Sequence, residues 1–139
     1  MQLTDHFTLS ELTRSETAER RHIDNTPSQE VVDNLRALCR NVLEPARVAF
    51  GEPIYITSGY RCPALNKAVG GKPTSQHLRG EAADLQVKGV RNLKRLYNAI
   101  LDHGVFDQLL YESNGTTKWI HVSYTSYGNR RQAIDNYKA

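Results

Sequence analysis

Apolar residues recur at helical spacing early in the chain and in short, strand-like runs later, and the breaks between these runs predict the elements. Thr8-Leu9-Ser10-Glu11 has the form of a capping box, and Phe7 and Leu12 are placed to staple across it, so a short helix starts there. Arg14 to Asn25 is nearly all polar and is expected to end it. Thr26-Pro27 predicts the start of a second helix, with Thr26 as cap and Pro27 in the first turn. Val31, Leu35, Leu38, Cys39, Val42 and Leu43 follow at helical spacing as its buried face. Pro45 is expected to kink this helix and Gly51 to end it.

Pro53-Ile54-Tyr55-Ile56-Thr57 reads as a buried strand running into Ser58-Gly59-Tyr60-Arg61. Gly70, Gly71 and Pro73 make a loop of the next stretch. Ala82 to Val87 is a second predicted strand. Leu93, Leu96, Tyr97, Ile100 and Leu101 give one more helix, with Gly104 at its C-cap. Phe106 to Glu112 and Lys118 to Tyr124 are predicted strands, and the Asn114-Gly115 step between them is a hairpin signal. A last strand is expected near Ala133 to Tyr137. Helices first and neighbouring strands later predict an α+β fold: a mainly antiparallel sheet with N-terminal helices packed on it.

Composition narrows the class. The 139 residues, 39% hydrophobic and 24% charged, suit one core, and without repeats or charge blocks the expectation is a single domain over residues 1–139. A net charge of +3 is too small to imply a nucleic-acid partner, although a mildly basic surface suits an anionic polymer. No run approaches the ~18 apolar residues of a membrane span. Met1 to Asp5 has neither a cationic start nor an apolar stretch, so a secretory signal is not expected and synthesis in the cytoplasm is. Two cysteines are too few for a disulfide framework. Cys39 falls on the apolar helix face as a small core residue. Cys62, beside Arg61, stays open to a reactive or metal-associated role, and a disulfide requires the fold to bring the two together.

Against this frame three residues stand out: His77 in a Gly-rich loop, Asp84 inside an apolar strand, and His121 between Ile120 and Val122. Singly, each has an ordinary structural explanation. Together, two imidazoles and a carboxylate are the ligand set of a catalytic zinc ion with a fourth position left open. Neutral imidazole and carboxylate suit Zn2+, and a set without thiolates argues against a closed structural site.

The surrounding residues sharpen this. Ser75 to Asp84 has the form S-x-H-x-x-G-x-A-x-D and resembles the zinc motif of the D-Ala-D-Ala metallopeptidases. That family includes carboxypeptidases, dipeptidases and phage endolysins that cut peptidoglycan stem peptides, and it shares a fold with the hedgehog signalling domain. Ser58-Gly59-Tyr60-Arg61 with Cys62, Pro63 and Asn66 is similar to the family's S-G-Y-R segment, and Trp119-Ile120-His121 to its W-x-H strand. Phe106-Asp107-Gln108 and Asn129-Arg130-Arg131 are similar as well. The resemblance implies that His77, Asp84 and His121 bind Zn2+, that Arg61 polarises substrate, and that the substrate is a peptidoglycan stem peptide.

Physical reasons accompany the motif. Gly80 lets the backbone turn between the loop ligand and the strand ligand. Ala82, two before Asp84, leaves room on the same face. Trp119 either walls the cleft or joins the core, and Ser75 either supports a ligand or caps the loop. Many family members carry an acidic residue three positions before the last histidine, where this chain has Lys118. Glu112 is the best substitute as general base: if it lies opposite Trp119, then Leu110 lies opposite His121, and Glu112 and His121 share a sheet face. Glu81 is the second candidate. His6, His22 and His103 sit in polar stretches and are expected to be solvated. The functional expectation is therefore a monomeric zinc peptidase of the bacterial cell wall that cuts stem peptides at a bond next to a D-amino acid, D-Ala-D-Ala carboxypeptidase- or endolysin-like, with a phage or prophage origin favoured. The alternative is a non-catalytic zinc-containing wall-binding or phage structural module.

Overall fold

The computed structural model describes residues 1–138. A small antiparallel hairpin of β1 (Gln2–Thr4) and β2 (Phe7–Thr8) leads directly into α1 (Leu9–Thr13). Strands this short cannot show an alternation, and the sequence pattern gives no sign of them. The capping box is formed: Thr8 Oγ1 accepts from the Glu11 amide, and Glu11 Oε1 accepts from the Thr8 amide at 3.1 Å. Phe7 and Leu12 are both buried in the main core.

The polar stretch after α1 contains a further helix, α2 (Glu16–Arg20), capped by Ser15 Oγ and burying only Ala18. One buried alanine leaves no stripe to read. The long helix α3 (Gln29–Leu38) begins at a different cap from the one expected: Ser28 Oγ accepts from Val31 N, while Thr26 bonds Asp24 at 2.6 Å. Beyond α3 the apolar face continues through a π-helical turn, Cys39–Leu43, into α4 (Glu44–Phe50). This wide turn takes the place of the expected kink at Pro45. Proline has no N–H to give, and the Asn41 carbonyl accepts instead from Val105 N at 3.0 Å. Gly51 ends α4 in the left-handed conformation.

The remaining elements are β3 (Tyr55–Ser58), α5 (Pro63–Ala68), a 3-10 turn (Gln76–Arg79), β4 (Ala82–Gln86), α6 (Val90–His103), β5 (Gln108–Ser113), β6 (Lys118–Ser123) and β7 (Gln132–Lys138). Cys62 caps α5, its Sγ accepting from Leu65 N. Gly104 caps α6 with extended backbone instead of the left-handed turn that a C-cap glycine suggests.

Five strands form one sheet in the order β3-β4-β6-β5-β7. Every pairing is antiparallel except β5 with β7, which is parallel. The reason is positional: β6 ends beside the start of β5, so the chain crosses that end and sets out again in the direction of β5. Period-two alternation divides the sheet cleanly. Ala83, Leu85, Leu109, Ile120 and Val122 join the core with Leu35, Leu38, Val42 and Leu43 of the long helical segment and Leu93, Leu96 and Ile100 of α6. Asp84, Leu110, Glu112, Trp119 and His121 take the opposite parity and share the other face. Cys39 lies in the core, where burial pushes its thiol up to about 12; both cysteines are free. Among the described residues, no helix is long and apolar enough to cross a membrane.

Candidate metal centre

The central strands β4 and β6 pair Asp84 directly with His121. His77 reaches the same point from the 3-10 turn that precedes β4. Gly80 makes that approach feasible: it sits in the left-handed region at φ 72°, and a Cβ there would lie 2.9 Å from Val31 of α3. Ser75 caps the turn, its Oγ accepting from His77 N at 3.2 Å, which settles its role as a cap.

His77 is buried, and its Nδ1 lies 2.7 Å from the Gly59 carbonyl oxygen. A carbonyl can only accept, so Nδ1 carries the proton and the Nε2 lone pair faces the site. Nε2 stands 3.5 Å from Asp84 Oδ1, and His121 Nδ1 stands 3.0 Å from the same oxygen. The two rings meet edge to face, 5.3 Å between centroids. One ligand atom from each of the three residues lies within 4.8 Å of the others. Ligands held about 2.0–2.2 Å from one tetrahedral zinc ion stand about 3.3–3.6 Å apart, so this donor set fits such an ion with little adjustment. Burial alone would raise the Asp84 carboxyl, but the side chains of His121 and His77 beside it hold it well below the usual carboxylate range. A deprotonated carboxylate between two imidazoles is what a divalent cation requires.

Arg61 flanks the group, with one guanidinium nitrogen 3.6 Å from Asp84 Oδ2. Its Nε donates to Ser58 Oγ at 3.0 Å, and NH1 donates to Asn66 Oδ1 at 3.4 Å. Burial lowers its pKa against the opposing charges of Asp84 and Glu112, yet arginine remains a cation at any working pH. The hairpin register sets Glu112 opposite Trp119 and Leu110 opposite His121. Glu112 is therefore a diagonal neighbour of His121 on the site face. Burial raises its carboxyl above the ordinary value, the Asp84 charge adds to this, and the His121 charge and a Trp119 side-chain hydrogen bond oppose it. Lys118 has the parity of the core face at the exposed end of β6, so the odd separation from His121 directs it away from the site.

Other candidates fall elsewhere. Glu81 is buried against Arg79, with Arg79 Nε donating to its Oε1 at 2.7 Å, so it is engaged outside the metal group. His6 is not simply solvated; its Nδ1 pairs with Glu44 Oε2 at 2.5 Å. His22 and His103 are exposed. The Cys62 sulfur serves as the α5 cap and is outside the metal group.

One contributor lacks a motif signal, and a second joins two segments that the sequence marks only as similar to the family. The Gly59 carbonyl orients His77, and a main-chain oxygen leaves no mark in a sequence. The second is a network in which the buried Asp107 accepts from the Arg130 amide and from Arg130 Nε and NH2, each at 2.9 Å, and from Gln76 at 3.2 Å. Arg130 and Asp107 line a cleft of about 780 Å³ that also contains His121 and Glu112.

Open sites built from imidazole and carboxylate, exposed to such a cleft, characterise hydrolytic metalloproteins and not thiolate-closed structural zinc sites. Comparison with known families narrows that class: the family model described as Peptidase M15 matches residues 5–123, and the chain belongs to that family. It is a family of D-Ala-D-Ala carboxypeptidase type whose members are in general zinc-dependent metallopeptidases, in keeping with the α+β fold described above. No curated protein matches the chain.

Proposed function

We propose that this chain is a zinc-dependent peptidase that hydrolyses peptidoglycan stem peptides at a bond next to a D-amino acid, with His77 Nε2, Asp84 and His121 Nδ1 as metal ligands. The observation that carries this reading is the meeting of the three ligand atoms beside an open cleft in a chain of the Peptidase M15 family. When bound, a zinc ion supplies Lewis acidity and lowers the pKa of water. Arg61, braced by Ser58 and Asn66, offers a fixed cation to the carbonyl oxygen of the scissile bond as negative charge develops there. Glu112 accepts the proton lost by the attacking water and delivers it to the nitrogen of the leaving amine. Burial favours the first half of this cycle, because a carboxyl raised from its ordinary value takes up the proton of the attacking water more readily than an exposed one. The chain acts as one domain over residues 1–139, as a monomer, at the bacterial cell wall.

The test is hydrolysis of defined muropeptides by purified protein. Activity should require zinc, disappear with a chelator and return on re-addition. Metal-loaded protein that cuts none of a panel spanning the stem-peptide bonds would refute the proposal. Lys118, at a position often acidic in the family, supports the second reading of a zinc-holding wall-binding module. Glu112→Gln separates the two, since only an enzyme has turnover to lose while zinc stays bound.

A further inference from the structure

The turn that carries Arg61 is pinned by a residue that no motif marks. Asn25 Oδ1 accepts from the Cys62 amide at 2.8 Å, and Asn25 Nδ2 donates to the Tyr60 carbonyl at 3.0 Å. The same nitrogen donates at 2.7 Å to the carbonyl of Thr13, the last residue of α1. One side-chain amide thus grips the main chain on both sides of Arg61 and ties it to α1. Only one orientation of the amide satisfies all three bonds, since two carbonyl oxygens face its nitrogen and an N–H faces its oxygen. The partners lie 12, 35 and 37 residues away, so these bonds join separate segments and close no local turn. The chain that presents Asn25 is braced in its turn. It leaves α2 through His22 in the left-handed region at φ 55°, and Ile23 N bonds the Ala18 carbonyl at 2.9 Å. Beyond Asn25, the Thr26 amide and hydroxyl both donate to Asp24 Oδ1. The gripped turn also meets the metal group, because Arg61 N donates to the His77 carbonyl at 3.0 Å.

Ser58 and Asn66, which direct the guanidinium, come from three and five residues away. They set the side chain relative to its own stretch of chain, whereas Asn25 sets that stretch relative to α1. A fixed cation helps only where charge develops, and a displacement of about 1 Å costs up to about a hundredfold in rate. We propose that Asn25 is a positioning residue for Arg61, holding the Tyr60–Cys62 turn so that the guanidinium stands beside the metal group in one place. The inference rests on the peptidase reading, in which Arg61 meets the negative charge of the transition state. It adds a residue that does not line the cleft and acts through one that serves the reaction.

Two measurements on zinc-loaded protein test this. In hydrolysis of a muropeptide, Asn25→Ala should lower kcat about tenfold and leave KM unchanged, the pattern of an interaction made only in the transition state. In an Arg61→Ala background the same change should cost nothing further, because the group it positions is gone. A loss of equal size in both backgrounds, or a kcat equal to that of wild type, would overturn the inference. The second measurement needs no turnover. The Arg61 Nε–H signal in a proton–nitrogen NMR spectrum, assigned by its disappearance in Arg61→Lys, should shift or broaden in Asn25→Ala. A signal that stays where it is counts against the role as firmly as an unchanged kcat. Asn25→Asp keeps the side-chain volume and the acceptor for Cys62, so it serves where the alanine variant does not fold. It removes both donors and must show the same kcat loss with the same dependence on Arg61. If wild-type protein cleaves no muropeptide while the Arg61 signal still moves in the variant, the peptidase reading falls and the positioning of Arg61 stands.

Discussion

Gly59→Ala tests whether a main-chain carbonyl sets the metal centre. Glycine is not needed there for a left-handed backbone, so the effect of a methyl group is steric alone. A Cβ at this position would lie 2.2 Å from the Leu12 carbonyl oxygen and 2.8 Å from its carbon. An ordinary C···O contact is about 3.3 Å, so β3 and α1 must separate by about 1 Å. The obstacle is backbone and cannot rotate away. Overpacking of this kind costs about 3 kcal/mol, from which about 0.5–1 kcal/mol is recovered because alanine restricts the unfolded chain. The net loss of about 2 kcal/mol should lower Tm by roughly 8 °C in a chain of this size. The Tyr60 N to Leu12 O bond of 2.7 Å would be strained, and with it the Gly59 carbonyl that fixes His77 Nδ1. Loss of such an outer partner weakens metal binding about 10- to 100-fold. Calorimetric melting gives the first quantity and competition with a chromogenic chelator the second. A variant that melts lower yet holds zinc as tightly as wild type would show that the carbonyl is not what positions His77.

Further outcomes follow from the same geometry. His121→Ala should abolish tight zinc binding, whereas His103→Ala, on the exposed end of α6, should leave it intact by the same competition assay. Glu112→Gln should retain zinc and lose turnover; in wild type, burial of Glu112 should place the acid limb of the pH–rate profile above the ordinary carboxylate pKa, and a limb at or below that value would count against it as the base. Asp107→Asn should cost about 2 kcal/mol in urea unfolding, because it removes the charge and replaces one acceptor oxygen with an NH2 donor that meets the donors of Arg130 or Gln76. Hydrogen bonds from Arg130 hold the Asp107 carboxyl below its ordinary value, so its stabilisation is present above about pH 4 and fades as pH falls through and below that point. The wild type should thus lose stability on acidification more steeply than Asp107→Asn, and parallel curves would refute the assignment.

Side-chain periodicity carried much of this architecture in the sequence. The helical stripe from Val31 to Leu43 is long and apolar, and Asn114-Gly115 pins a hairpin whose register puts Glu112 and His121 on one face. The nearness of His77, Asp84 and His121 was legible through their resemblance to the family's zinc motif, since spacing alone does not bring a loop, a strand and a distant hairpin together. The cases that escaped have two causes: elements too short to show a stripe and fixed by a local choice of cap, and partners that lie far away in the chain. Helices α2 and α5 are short and held by caps from Ser15 and Cys62. Ser28 prevails over Thr26 as a cap because Asp24 engages the Thr26 hydroxyl. His6 finds Glu44 across the fold, and Asp107 finds Arg130 only after the chain has crossed the end of the sheet. The parallel direction of β7 depends on that crossing as well.

The π-helical turn before Pro45 reaches further than the helix it interrupts. The Asn41 carbonyl holds Val105, and the next two residues, Phe106 and Asp107, are where the chain from β6 returns: their carbonyls accept from the Arg131 and Gln132 amides. A proline in α4 thereby bears on where the chain enters β5, the strand that carries Glu112. Were Pro45 replaced and the turn to tighten into ordinary helix, the anchor for Val105 would be lost, and β5 could creep along its neighbours without any change in its own sequence. The place of the carboxylate along its strand is thus tied, through one backbone hydrogen bond, to a helical turn more than sixty residues earlier in the chain.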